Sequence, residues 1–205
     1  MLTGFTAGLL LITFSELGDK SFFIAVVLAM RHPKSLVFWG TIAALAVMTV
    51  ISVLLGQTAN LLPPAYVRYA EAAILVIFGL TSIWKAGRIP KHACMTELQS
   101  AEDELRSARI NLSMYGSTLG VLLKAFSLTF LGEWGDRTQF ATITLAAGND
   151  ALGVTMGSIF GHGICTAIAI TSGCLLAERI SERTLAYIGG GLFILFGAIA
   201  WFSRS

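Results

Sequence analysis

Charge is what this sequence has least of. Only 13% of its 205 residues are Asp, Glu, Lys or Arg, against roughly 25% in a soluble domain. So few charges exclude a disordered chain, a coiled coil and a nucleic-acid-binding domain. The 14 basic and 12 acidic residues, 14 + 12 = 26 charges in all, are also too few to coat a soluble globule of this size. Cysteine is scarce as well. Cys94 stands alone in a polar stretch, Cys165 and Cys174 lie nine apart in one apolar run, and there is no C-x-x-C. No disulfide framework and no zinc site is expected. The N-terminus lacks a basic leader segment, and Glu16 interrupts its apolar run. It reads as neither a signal nor a transit peptide, which suits a bacterial or already processed chain better than an organelle precursor.

Apolar residues are what is abundant: 55% of the chain, with a mean hydropathy of +0.76. A helix needs roughly 20 of them to cross a bilayer, and six stretches qualify, at about 3–29, 36–60, 68–86, 117–147, 151–176 and 184–203. The expected fold is an all-α polytopic membrane protein. Lys and Arg in the loops set orientation. Arg31, Lys34, Lys85, Arg88, Lys91, Arg106, Arg109, Arg179 and Arg183 fall on one side, against Arg68 and Arg204 on the other. These loops are expected in the cytoplasm, with both termini outside. The segment 88–115 reads as a solvated linker carrying a short helix, between units 1–87 and 116–205.

The two units repeat each other. A shift of 117 lays Glu16-Leu17-Gly18-Asp19-Lys20-Ser21 on Glu133-Trp134-Gly135-Asp136-Arg137-Thr138, Phe23 on Phe140, Gly40 on Gly157 and Gly56 on Gly173. One further residue pairs Phe78 with Phe196 and Gly79 with Gly197. Three spans per unit invert the second against the first, giving six transmembrane helices as two inverted three-helix repeats, the plan of many secondary transporters.

The matched positions carry the chemistry. A charge at mid-membrane costs upward of about 3 kcal/mol, and each motif holds three. Read as helix, Glu16 and Asp19 share a face and Lys20 can pair with Glu16; Glu133, Asp136 and Arg137 repeat this. Gly18 and Gly135 would let the backbone bend or a neighbour approach. Where the motifs meet, four carboxylates and two cations sum to −4 + 2 = −2. A dry cluster of that charge is unstable, and one divalent cation or two protons would neutralise it. That choice is the minimal physics of an exchanger. Ligands that are all oxygens, with the hydroxyls of Ser21 and Thr138 as additions, suit Ca2+, Mn2+ or Mg2+.

Other polar residues carry weaker signals. Lys20 and Arg137 either tune the acids or bridge the halves. His162, in Gly161-His162-Gly163, reads first as a hydrogen-bonded packing residue, with a proton or metal role as the alternative. Gln57, Asn60 and Gln139 read as helix–helix hydrogen-bonding groups that could add oxygens to a pathway. Lys124 is expected to snorkel and Glu71 to sit at the headgroups. Trp39, Trp84 and Trp201 read as interface anchors.

The stretches Phe14-Ser15-Glu16-Leu17-Gly18-Asp19-Lys20-Ser21-Phe22-Phe23 and Glu133-Trp134-Gly135-Asp136-Arg137-Thr138-Gln139 resemble the twin E-x-G-D-[KR]-[ST] motifs of the Golgi, thylakoid and bacterial Mn2+/Ca2+ transporter family. The resemblance covers nearly the whole chain. It implies a cation/proton antiporter, not an enzyme, that clears Mn2+ and often Ca2+ from the cytosol. Carried over by position, the cation-binding acids are Glu16, Asp19, Glu133 and Asp136. Lys20, Ser21, Arg137, Thr138, Gln139 and His162 are candidates for support or proton coupling. No permanently bound cofactor and no nucleic-acid partner is expected. The partners are the transported ion, protons and the bilayer, in a bacterial plasma membrane or a thylakoid; a homo-oligomer is left open. Two alternatives stand beside this reading. One is a cation channel using the same acids as a selectivity ring. The other is an intramembrane aspartyl protease, which a basic residue beside each Asp disfavours.

Overall fold

The computed structural model describes residues 1–88, 99–102, 118–172 and 182–202. Every regular element among them is helical: α1 (Leu2–Glu16), α2 (Lys20–Arg31), α3 (Lys34–Thr58), α4 (Pro64–Ala86), α5 (Thr118–Gly132), α6 (Arg137–Gly148), α7 (Ala151–Ser172) and α8 (Glu182–Phe202). A single 3-10 turn, Ala59–Leu61, follows α3.

Among the described residues, four helices are long and apolar enough to cross a membrane, over Lys34–Thr58, Ala65–Ala86, Ala151–Thr171 and Arg183–Phe202. The protein is a helical membrane protein. The 3–29 and 117–147 stretches, each expected as one span interrupted by a charged cluster, are each broken into two helices. α1 and α5 have 15 residues and α2 and α6 have 12. At 1.5 Å per residue these are rods of about 22 and 18 Å, too short singly for a hydrocarbon core of about 30 Å. The breaks fall at Glu16–Lys20 and Glu133–Arg137, so the acidic motifs are helix ends rather than helix faces.

Small residues set the packing. α1 lies along α7, and α3 along α5 and α6. A Cβ at Gly157 would come within 2.1 Å of the Phe5 carbonyl, and one at Gly56 within 2.3 Å of the Ile143 carbonyl. Gly79 and Gly190 press on each other's carbonyls where α4 meets α8. Such close approach is how apolar helices gain contact in lipid.

Two apolar clusters flank the motif layer. One gathers Phe22–Leu28 of α2 with Val37, Val121, Ala125 and Leu128. The other joins Ala7, Leu11, Val53, Ala141 and Leu145 to Leu75 of α4 and Phe193 of α8. α4 and α8 thus pack against α6 and α1, with at most marginal contact to α5 and α2.

Three expectations need correction. Lys124 does not snorkel: it is 6% exposed, and its Nζ lies 3.2 Å from Nε2 of His32. Glu71 is not open to headgroups or water but 5% exposed, its carboxylate packed on Gly148 at the end of α6 and accepting from Asn149 Nδ2 at 3.1 Å. The linker is not uniformly solvated: in its short helical segment 99–102, Ala101 is buried against the α2 cluster and Glu102 pairs with Arg31. Trp39, Trp84 and Trp201 are exposed on the surface, as anchors would be. Gln57 donates to the Ala146 carbonyl across the α3–α6 seam. Cys94, Cys174, Gly173 and the side chain of Asn60 lie outside the described residues.

Candidate cation site

Each motif begins as the end of one helix and finishes as the cap of the next. The amides of Asp19 and Asp136 return to the carbonyls of Glu16 and Glu133, both at 3.1 Å. This tight turn puts Gly18 and Gly135 at φ of 81° and 83°, a left-handed conformation costly for any residue with a Cβ. At Gly135 an added Cβ would meet nothing within 4 Å. Conformation, not close approach, therefore demands glycine there. The aspartate is next in line as N-cap. Asp19 Oδ1 accepts from the Lys20 amide at 2.9 Å, and Asp136 Oδ2 accepts from both the amide and the hydroxyl of Thr138 at 3.2 Å. The helical argument that placed Glu16 and Asp19 on one face is replaced by a turn that projects both from adjoining helix ends.

The two turns face each other. Oxygens of Glu16, Glu133 and Asp136 lie within 4.8 Å of one another, close enough to hold one metal ion. Glu16 and Glu133 are 2% and 6% exposed. Ser21 donates to Glu16 Oε2 at 2.9 Å, while Glu16 Oε1 is buried without a hydrogen-bond partner. Asp19 stands a little apart, a quarter exposed, held by Arg137 of the other motif at 3.0 Å. Arg137 also donates to Ser82 Oγ of α4 at 3.3 Å.

A cavity of about 500 Å3 reaches Asp19, Arg137 and Ser82. Half-buried Asp19 and Arg137 line it, as do Lys85 and Arg88, exposed at the end of α4. Lys20, the first residue of α2, is exposed on its wall. On the other flank are two voids of about 20 and 10 Å3, each the scale of a single water. The larger holds Glu133, Thr138, Gln139, Thr142, Thr49 and Ser52; the smaller holds Glu16, Ser21, Thr41 and Cys165. His162 and Leu45 line both. Gln139 Oε1 accepts from the Gly135 amide at 2.7 Å, bracing the second turn.

Of the ten singled-out residues, Glu16, Glu133 and Asp136 converge, with Ser21 and Thr138 bonded to them. Asp19, Lys20 and Arg137 face the large cavity, Gln139 braces a turn, and His162 sits behind the glutamates. Sequence reasoning missed Ser82, which anchors Arg137, and Thr49 and Ser52, which share a face of α3. The available signal was hydroxyls at helical spacing in otherwise apolar runs.

A bundle of apolar helices with buried carboxylates at the joint of two broken ones has the make-up of a membrane ion transporter. Comparison with known proteins gives the family. Residues 4–89 and 121–205 match the model of the divalent cation/proton antiporter GDT1, and the chain belongs to that family of transporters. A GDT1-like protein of Synechocystis sp. is 50% identical over 204 residues, covering 100% of this chain and 99% of its own length. GDT1-like protein 3 of Oryza sativa is 42% identical, covering 96% of this chain and 72% of itself. Protein PAM71-homolog, chloroplastic, of Arabidopsis thaliana is 40% identical, covering 98% of this chain and 59% of itself. No solved structure matches. Family membership removes the protease alternative, since these proteins are transporters and not enzymes.

Proposed function

We propose that the chain exports Mn2+, with Ca2+ as a second substrate, from the cytoplasm in exchange for H+. The observation that carries this is the convergence of Glu16, Glu133 and Asp136 within 4.8 Å at the joint of two broken helices. Two buried glutamates and a half-buried aspartate so close repel one another and call for a counter-charge. A bound divalent ion or protons would provide it, and competition between the two couples their movements. Asp19, tethered by Arg137 and lining the large cavity, is the fourth acid of the site and the first met by an ion entering from that cavity.

The chain is read as six spans in two inverted repeats, with each broken pair, α1–α2 and α5–α6, counted as one. Support comes from packing: α1 on α7 is answered by α5 on α3, and α2 on α7 by α6 on α3. The count of basic residues in the loops supports a cavity opening toward the cytoplasm, with the termini on the opposite side of a plasma or thylakoid membrane.

The test is flux in proteoliposomes under an imposed pH gradient. Mn2+ and Ca2+ should move against the proton gradient, and collapsing it should stop accumulation. Flux indifferent to the gradient would favour the channel reading instead.

A further inference from the structure

The duplicated motifs supply oxygen ligands only, and the residue behind them is different. His162 lies on α7, and its side chain is 7% exposed. Its Nδ1 is buried without a hydrogen-bond partner, as is Oε1 of Glu16. These two atoms face each other at 4.0 Å. That gap is too wide for a hydrogen bond. Two metal–ligand bonds of about 2.1 Å each span up to about 4.2 Å, so a single first-row divalent ion would satisfy both atoms at once. His162 also lines the void beside Glu133 as well as the one beside Glu16, so it stands behind both glutamates.

The repeat does not require this histidine. The shift of 117 that matches the motifs places His162 on Leu45 (162 − 117 = 45), and Leu45 lines the same two voids from the other half. One half offers a hydrocarbon where the other offers an imidazole. We propose, resting on the cation-transport reading above, that His162 is a nitrogen ligand of the transported ion and sets its selectivity. Mn2+ shares the oxygen preference of Ca2+ and Mg2+ but, as the weakest-binding of the first-row transition ions, it also accepts an imidazole, which Ca2+ and Mg2+ do not favour. An imidazole facing Glu16 Oε1, beside the converging carboxylates, therefore favours Mn2+ over Ca2+ relative to the carboxylates alone.

The experiment uses the full chain in detergent or nanodiscs, loaded with Mn2+. Electron spin echo modulation of bound Mn2+ should show coupling to a directly ligated imidazole nitrogen, and His162→Leu should abolish it. In competition binding, His162→Leu, which installs the residue found at position 45, should lower Mn2+ affinity about tenfold or more and change Ca2+ affinity far less. His162→Gln keeps a hydrogen-bonding side chain without the nitrogen donor, and should show the same fall in the Mn2+/Ca2+ ratio. Mn2+ bound to the wild type without nitrogen coupling would overturn the inference while leaving the transport reading intact. So would a wild-type ratio in His162→Gln. A wild type that binds neither ion would overturn the transport reading itself.

Discussion

His32 and Asn149 occupy equivalent turns, since 32 + 117 = 149, yet the turns are used differently. Asn149 ends α6 and holds α4: its side chain donates to Glu71, whose carboxylate rests on Gly148. His32 ends α2 and does not hold α8. It meets Lys124 of α5 instead, while neighbouring Arg31 pairs with Glu102. With one further residue in the shift, Glu71 corresponds to Gly189 (71 + 118 = 189), and Gly189 lines the large cavity. One flank of the motif layer is therefore latched by a buried acid, and the equivalent flank is open. Two nearly equivalent halves in unequal poses are what alternating access requires. Under the proposed exchange mechanism, the opposite state would have α4 leave α6 and α8 close on α2.

The largest expected effects test whether the two aspartates differ as their surroundings do. Asp136 belongs to the converging acids, whereas Asp19 is a cavity-side group bound to Arg137. Asp136→Asn should reduce Mn2+ flux in proteoliposomes by about 100-fold and Asp19→Asn by nearer tenfold, the range in which loss of groups at a metal site falls. Equal losses would mean that Asp19 enters the site as fully as Asp136.

The latch comes next. Glu71→Ala removes a buried hydrogen bond and leaves Asn149 Nδ2 with only the Leu145 carbonyl, 3.1 Å away. A cost of about 1–3 kcal/mol is expected, concentrated at the α4–α6 contact. In a cysteine-free background, Ser82→Cys should react with an impermeant thiol reagent from the basic-loop side. Ser52→Cys, beside the closed void, should react from neither side. Adding Glu71→Ala should expose Ser52→Cys to the opposite side. If its labelling does not change, Glu71 does not hold that flank shut.

The motif turns should respond alike. Gly18→Ala and Gly135→Ala each force a Cβ into a left-handed backbone, at about 1–2 kcal/mol, read as a lower unfolding temperature in detergent. A cost at one glycine only would show that the turns are not equivalent.

The acids of this site were legible because a repeat of rare residues in fixed order stands out in an apolar chain. The break at each motif was not, because no proline marks it and the flanking runs are uniformly apolar. Its signal was present nonetheless: a glycine able to take positive φ followed by an aspartate able to cap is the chemistry of a helix end and a helix start. Glu71 and Lys124 were misplaced for a different reason. Their burial depends on which helix lies opposite, Gly148 of α6 for one and the His32 turn for the other, and no local pattern records that.

The smallest effect separates the two turns by pH. His32 lies outside the spans, and burial with the neighbouring Lys124 and Arg31 pushes its pKa below the ordinary 6.5. The folded protein therefore binds this proton less readily than the unfolded chain. Its contribution to stability is complete above about pH 6.5 and declines as the pH falls below that value. Asn149 itself cannot titrate, although its partner Glu71 can, so the His32→Gln variant is what isolates the His32 turn. Protonated, the imidazole would face Lys124 and Arg31 together, with Glu102 already engaged by Arg31, and the α2–α5 contact would loosen on the open side. His32→Gln should flatten the acid limb of the stability profile, measured by thermal unfolding in detergent between pH 5 and 8, and leave the neutral region unchanged. An acid limb identical in the variant would assign the loss to other groups and remove the distinction between the turns.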